Sequence, residues 1–355
     1  MKRRQFITTA VTASLGAGAV TSFAQKRVKT KEIKPKVHDF SEEFLKVTKP
    51  KPQGTMEMRE IGTTGIKVSR YTFGSHTPKE LMGFPDYRKN MLMEAYDLGV
   101  NTYDVYEPQY VTSGEYLRPL GHNINISIHG GSVKQLSATK EHERILRLFK
   151  RDYIDMVRLF AHTKDSPKWG EWDDMFKMKE KGQIRAVGTP IHFPEELTVI
   201  LKEELPIDFV VFPFNFYHNI LYTGKVPNSF DPIVAKLRKK GIGVVTMKPF
   251  ASEWYVAHLM ESARELDPAS ELSLGQAMLR YILNSGLEPD TTMGGMWCQN
   301  DVYDNIAAFF NPAISPEEVK LLDDVREYAK LIEEAVLPDH YRFLNRWSPK
   351  VTKLT

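Results

Sequence analysis

Eight short apolar runs, at 71–74, 101–106, 124–129, 156–160, 186–190, 209–214, 243–247 and 291–294, alternate with stretches whose apolar residues recur three and four apart. Such stretches lie at 87–98, 138–149, 171–181, 195–204, 231–240 and 272–285, the last holding Leu272, Ala277, Leu279 and Ile282. Strand followed by helix, repeated, demands a parallel sheet with crossover helices, because parallel neighbours cannot be joined by a tight turn. Eight such units in about 250 residues predict a (β/α)8 TIM barrel. The competing open, doubly wound sheet calls for a Gly-rich phosphate turn after its first strand, and the chain has none there. Residues 58–69 read as a hairpin turned by Thr63-Thr64-Gly65 that caps the barrel bottom, and Ser315-Pro316-Glu317-Glu318 opens an extra helix over 315–335.

Ahead of the barrel the chain changes character. Residues 1–24 hold Lys2, Arg3 and Arg4, a weakly apolar stretch broken by Thr8, Thr9, Thr12, Ser14, Gly16 and Gly18, and Ser22-Phe23-Ala24 before Gln25. These are the parts of an export signal, too polar for a membrane span. Arg3-Arg4-Gln5-Phe6-Ile7 resembles the twin-arginine signal, which implies the twin-arginine export machinery as a partner and a folded, periplasmic product. Residues 25–54, rich in Lys and Pro, read as a flexible or surface-draped linker, 55–336 as the barrel, and 337–355 as a tail.

Charge narrows the partners. The chain carries 48 Lys+Arg against 45 Asp+Glu, and three of the basic residues fall in the first four positions, so the body balances at 48 − 3 = 45 against 45. A nucleic-acid binder needs a basic body, so a small-molecule substrate is expected instead. One cysteine, Cys298, excludes an internal disulfide framework and Cys-based metal clusters. It reads as a small packed residue, because nothing beside it supplies a base.

Several segments, in register over roughly 56–330, resemble the aldo-keto reductase family: 56–69, Leu98-Gly99-Val100-Asn101-Thr102-Tyr103-Asp104, Arg151-Asp152-Tyr153-Ile154-Asp155-Met156, Lys181-Gly182-Gln183-Ile184-Arg185-Ala186-Val187-Gly188, 241–250 and Leu321-Leu322-Asp323. The resemblance implies a nicotinamide-dependent oxidoreductase, with NADP or NAD as cofactor, acting on a small carbonyl or sugar-like compound. It implies an Asp-Tyr-Lys-His tetrad at the barrel top, in which Tyr donates the proton and Lys and Asp tune it. Asp104 takes the Asp position, while the Tyr position falls on Gln109 with Tyr110 next to it. His129 stands where the Lys is expected, and Phe160 where the His is expected, with His162 two residues on. The site is therefore expected to use Asp104 and His129 to polarise, Tyr110 as proton donor and His162 to orient the substrate.

The same resemblance places cofactor contacts at His192, Asn215, Lys248, Gly295, Met296, Trp297 and Asn305. The basic positions for a 2′-phosphate become Trp297 and Asp301, and an Asp facing a phosphate repels it, which penalises the unphosphorylated cofactor less. The strand ends also carry His76, His129, His162, His192 and His218, which keeps open a metal-dependent hydrolase or isomerase. No His-Glu-x-x-His spacing supports it, and no metal ligands are assigned. A barrel that binds a ligand without turnover is the other alternative. For the leader, replacing Arg3 and Arg4 together by Lys is expected to abolish accumulation in the periplasm, read by immunoblot of cell fractions; undiminished export overturns the twin-arginine reading.

Overall fold

The computed structural model describes residues 45–74, 85–105, 110–130, 137–159, 169–191, 200–202, 204–217, 232–251 and 253–336. Strands β1 (Met58–Glu60) and β2 (Lys67–Ser69) form an antiparallel hairpin with Met58 opposite Ser69. The barrel strands follow: β3 (Tyr71–Gly74), β4 (Thr102–Val105), β5 (Asn125–His129), β6 (Ile154–Arg158), β7 (Ile184–Pro190), β8 (Phe209–Pro213), β9 (Gly243–Met247) and β10 (Thr291–Gly295). Each pairs in parallel with its neighbours, and β10 pairs with β3 through Thr292 and Tyr71, so the sheet closes. The eight-stranded (β/α)8 barrel and its N-terminal hairpin match the architecture expected from the alternation.

Helices wrap the outside: α1 (Pro85–Asp97), α2 (Tyr110–Leu117), α3 (Ala138–Phe149), α4 (Trp169–Glu180), α5 (Pro232–Lys239), α6 (Glu253–Leu266), α7 (Leu274–Leu283), α8 (Gln299–Phe310) and α9 (Pro316–Val336). Their ends follow local rules. Pro85 sits at the first position of α1, where its missing N–H costs nothing. At α9 the Glu318 amide donates to Ser315 Oγ at 3.2 Å and the Ser315 amide donates to Glu318 Oε2 at 2.9 Å, the reciprocal cap that Ser-Pro-Glu-Glu foretells. Strand β6 departs from expectation: it starts at Ile154, where the amide bonds the Gln183 carbonyl, and ends at Arg158. Pairing with β7 from Ile154↔Ile184 upward decides those ends, and residue 160 lies outside the described residues.

The hairpin plugs the bottom with Ile61, Ile66 and Val68, which pack against the inward side chains Met156, Phe209, Val211, Val245 and Met293. Gly62 makes the fit possible. Its φ is +49°, and a Cβ there would lie 2.2 Å from the Gly241 carbonyl oxygen. Three carboxylates, those of Asp155 and Asp290 buried, staple the lower rim. Asp155 accepts from the Ile126 amide (2.9 Å) and from Arg151 (2.8 Å) and Arg185 (2.9 Å); Asp208 accepts from the Val187 amide (2.7 Å) and Lys179. Asp290 accepts from the amides of Gly62 (3.0 Å) and Val244 (2.9 Å) and pairs with Arg238, which ties the hairpin to β9.

Of the Lys/Pro-rich linker, residues 45–54 are described, and they lie along α8. The amides of Thr48 and Lys49 donate to Asn300 Oδ1 at 2.8 and 2.9 Å, and Asn300 Nδ2 donates to the Lys46 carbonyl at 2.9 Å. Lys49 pairs with Asp304 (3.1 Å) and Lys51 with Glu94 (2.5 Å), while Gly54 rests on the Phe310 ring. Asn300 thus holds the arm as a neighbouring strand would.

Asp290→Ala strands the buried Val244 amide and the part-buried Gly62 amide and removes the partner of Arg238; it is expected to cost about 3 kcal/mol, read as a lower urea midpoint at unchanged slope. An unchanged midpoint would show that the staple carries no stability.

Candidate active site

Along β4, β5 and β6 every second side chain faces the barrel interior, and these strands place a charged cluster near the C-terminal mouth. Asp104 and Ser127 are register partners on β4 and β5, and His129 and Arg158 are register partners on β5 and β6. Arg158 Nη2 donates to Asp104 Oδ2 at 2.9 Å, Arg158 Nη1 donates to Asp104 Oδ1 and, at 2.9 Å, to Ser127 Oγ, and the Ser127 hydroxyl donates to Asp104 Oδ1 at 3.1 Å. Asp104 is 2% and Arg158 5% exposed, so two opposite charges meet out of water in bidentate geometry. Sequence reasoning named Asp104 and passed over Arg158. The available signal was an arginine at an inward position of the run Ile154-Asp155-Met156-Val157-Arg158.

The other expected site residues divide. His129 ends β5 at the mouth, half-buried, and Tyr110 opens α2. His162 and His192 lie outside the described residues, as do His76 and His218. Among the described residues no group of three His, Cys, Asp or Glu side chains is placed to hold a metal ion.

Lys248 follows β9 in left-handed conformation (φ 54°), half-buried, and burial pushes its amine down to about 8. A lowered amine is still mostly protonated at pH 7, so it brings positive charge to the mouth. Asn215 Nδ2 donates to the Lys248 carbonyl at 3.0 Å and its Oδ1 accepts from the Tyr217 amide at 2.9 Å, which joins the ends of β8 and β9. Asn305 is buried and donates to the Tyr71 hydroxyl at 3.0 Å, on the outer side of the barrel wall. Gly295 ends β10, and Met296 is fully buried with its carbonyl accepting from Arg88 at 2.9 Å. The Arg88 guanidinium also stacks 4.7 Å from the Phe73 ring centroid, and burial pushes it down to about 10.

Asp301 corrects an expectation. It does not face outward to repel a phosphate; its carboxylate turns in and accepts from the amides of Trp297 (2.8 Å) and Cys298 (3.2 Å), while the Gln299 amide donates to Tyr87 Oη at 2.8 Å. Burial raises the Asp301 carboxyl above its ordinary range, against the lowering effect of these amides. Of the first amides of α8 itself, where an anion is usually received, that of Gln299 is taken by Tyr87 and that of Asp301 by the Cys298 carbonyl at 3.0 Å.

Comparison with known proteins bears on this arrangement. The model of the aldo/keto reductase family matches residues 82–327, more than half of the chain. L-galactose dehydrogenase of Arabidopsis thaliana is 24% identical over 291 residues, covering 71% of this chain and 88% of that protein. The solved aldo-keto reductase AKR11C1 of Bacillus halodurans matches in its apo form with a TM-score of 0.55 at 20% identity, and in its holo form with 0.55 at 19%, each over 81% of this chain and 99% of that one. At such identities the likeness is one of fold.

Cys298 is 6% exposed, and burial followed by the Asp301 charge pushes its thiol up to about 12. A raised pKa keeps the neutral thiol through physiological pH and at pH 8. Native protein is expected to resist iodoacetamide at pH 8 and to react fully in denaturant, read by mass spectrometry. Rapid native labelling would contradict this environment.

Proposed function

Because the chain belongs to the aldo/keto reductase family, we propose that it is an oxidoreductase that works on a small carbonyl or sugar-like substrate with a nicotinamide cofactor, NAD(H) in preference to NADP(H). The observation that carries this reading is the buried Asp104–Arg158–Ser127 cluster beside His129 at the barrel mouth. A pre-aligned pair of charges in a water-poor pocket is what stabilises charge developing on a reacting oxygen. The preference for the unphosphorylated cofactor is supported by Asp301, an acid where the family resemblance places a basic residue, whose carboxylate is taken by the amides just before α8 while Tyr87 takes the helix's first amide. A sugar-like substrate is supported by similarity to a relative named for L-galactose.

When bound, the cofactor takes up or supplies hydride. The chain's residues do the remainder: Tyr110 exchanges the proton with the substrate oxygen, His129 polarises that oxygen, and His162 orients the substrate. Lys248, cationic at neutral pH, would hold the cofactor's pyrophosphate. The leader delivers the folded, loaded protein to the periplasm through the twin-arginine machinery.

Binding tests the reading first. Titration of the mature protein with NADH and NADPH, followed by quenching of its five tryptophans, is expected to give saturable NADH binding at least tenfold tighter than NADPH binding. Incubation with NAD and L-galactose or related aldoses is then expected to produce NADH, and Tyr110→Phe to lose at least a hundredfold in kcat. Absence of binding by either cofactor, in folded and cofactor-free protein, leaves a ligand-binding barrel. Activity that chelators abolish points to the metal-dependent alternative.

A further inference from the structure

Asp104 receives its cation from an unexpected direction. The family resemblance places a lysine at the end of β5, but this chain carries His129 there, and an imidazole is a cation for only part of the physiological range. A carboxylate 2% exposed needs a permanent partner, because a buried charge without one is strongly destabilising. The partner comes from the next strand. Arg158 is the register neighbour of His129, shares its inward side, and reaches across Ser127 to grip both oxygens of Asp104.

We propose that Arg158 is the positioning residue of this site: it supplies from β6 the cation that the family draws from β5. The proposal rests on the oxidoreductase reading for its catalytic meaning. One consequence follows from the chemistry of the side chains. A guanidinium holds both carboxylate oxygens and a hydroxyl in one plane, which an ammonium does not, so Asp104 is fixed in orientation as well as neutralised. Ser127 completes the arrangement, donating to one Asp104 oxygen while accepting from Arg158.

A charge relocation tests this. Arg158→Leu is expected to lower Tm by about 10 °C, through the lost partner of Asp104. Adding His129→Lys, which returns the cation to β5, is expected to restore at least half of that loss. With NAD and an aldose that the protein oxidises, Arg158→Leu is expected to lose about a hundredfold or more in kcat with little change in KM. Arg158→Lys is expected to stay within about tenfold of the parent. A double variant no more stable than Arg158→Leu, or Arg158→Leu with parental kcat, overturns the proposal. Should Arg158→Leu yield no folded protein, a folded double variant supports the proposal and an unfolded one overturns it. If no aldose is oxidised by the parent, the oxidoreductase reading has failed, while the thermal comparison still decides whether the two strand positions are interchangeable supports for Asp104.

Discussion

With β10 hydrogen-bonded to β3, the sheet has no edge, and each strand surrenders every second side chain to an enclosed interior. That confinement shapes everything else. Apolar side chains fill the lower interior against the hairpin, where Ile61, Ile66 and Val68 complete the packing. Higher up, a charged side chain can enter only if an opposite charge enters beside it, since water is not available to compensate. Asp104 and Arg158 meet that condition from strands separated by β5, with the Ser127 hydroxyl between them. The mouth is thus held by polar contacts across strands and the floor by hydrophobic packing.

The lower rim solves a different problem. Parallel strands begin with amides that have no partner in the ladder, and Asp155, Asp208 and Asp290 take up such amides on adjacent strands while pairing with Arg or Lys from outside. These carboxylates belong to the scaffold, although by residue type they resemble catalytic ones. Position distinguishes them: Asp104 faces the mouth, whereas the other three lie where strands start, the end that barrel enzymes reserve for stability.

The first turn of α8 shows how a binding feature can be turned to structural use. Its Gln299 amide is taken by Tyr87, its Asp301 carboxylate by the Trp297 and Cys298 amides just before it, its side chain Asn300 clasps the arm at 46–49, and the Met296 carbonyl before it takes Arg88. The region has become a junction of the arm, α1 and β10. A ligand phosphate there would have to displace bonds already made, and that cost underlies the cofactor preference proposed above.

Much of the fold was legible in the chain itself. The eight apolar runs, the hairpin at 58–69 and the Ser315–Glu318 cap are local in origin, since periodicity and capping act over a few residues. The family resemblance singled out Asp104, His129 and Lys248 in the same way, from short motifs. What those residues touch is decided by register between strands distant in sequence. Arg158 lies 54 residues from Asp104 and meets it only because β4, β5 and β6 align as they do; Asn305 lies 234 residues from the Tyr71 hydroxyl it holds. Asp301 turns inward because the Trp297 and Cys298 amides lie within hydrogen-bond reach of its carboxylate. Residue type and spacing therefore determined which elements form and which side chains can do chemistry. Only the closed barrel decided which charges are paired, because pairing in a low-dielectric interior depends on distances of a few ångströms that no local pattern encodes.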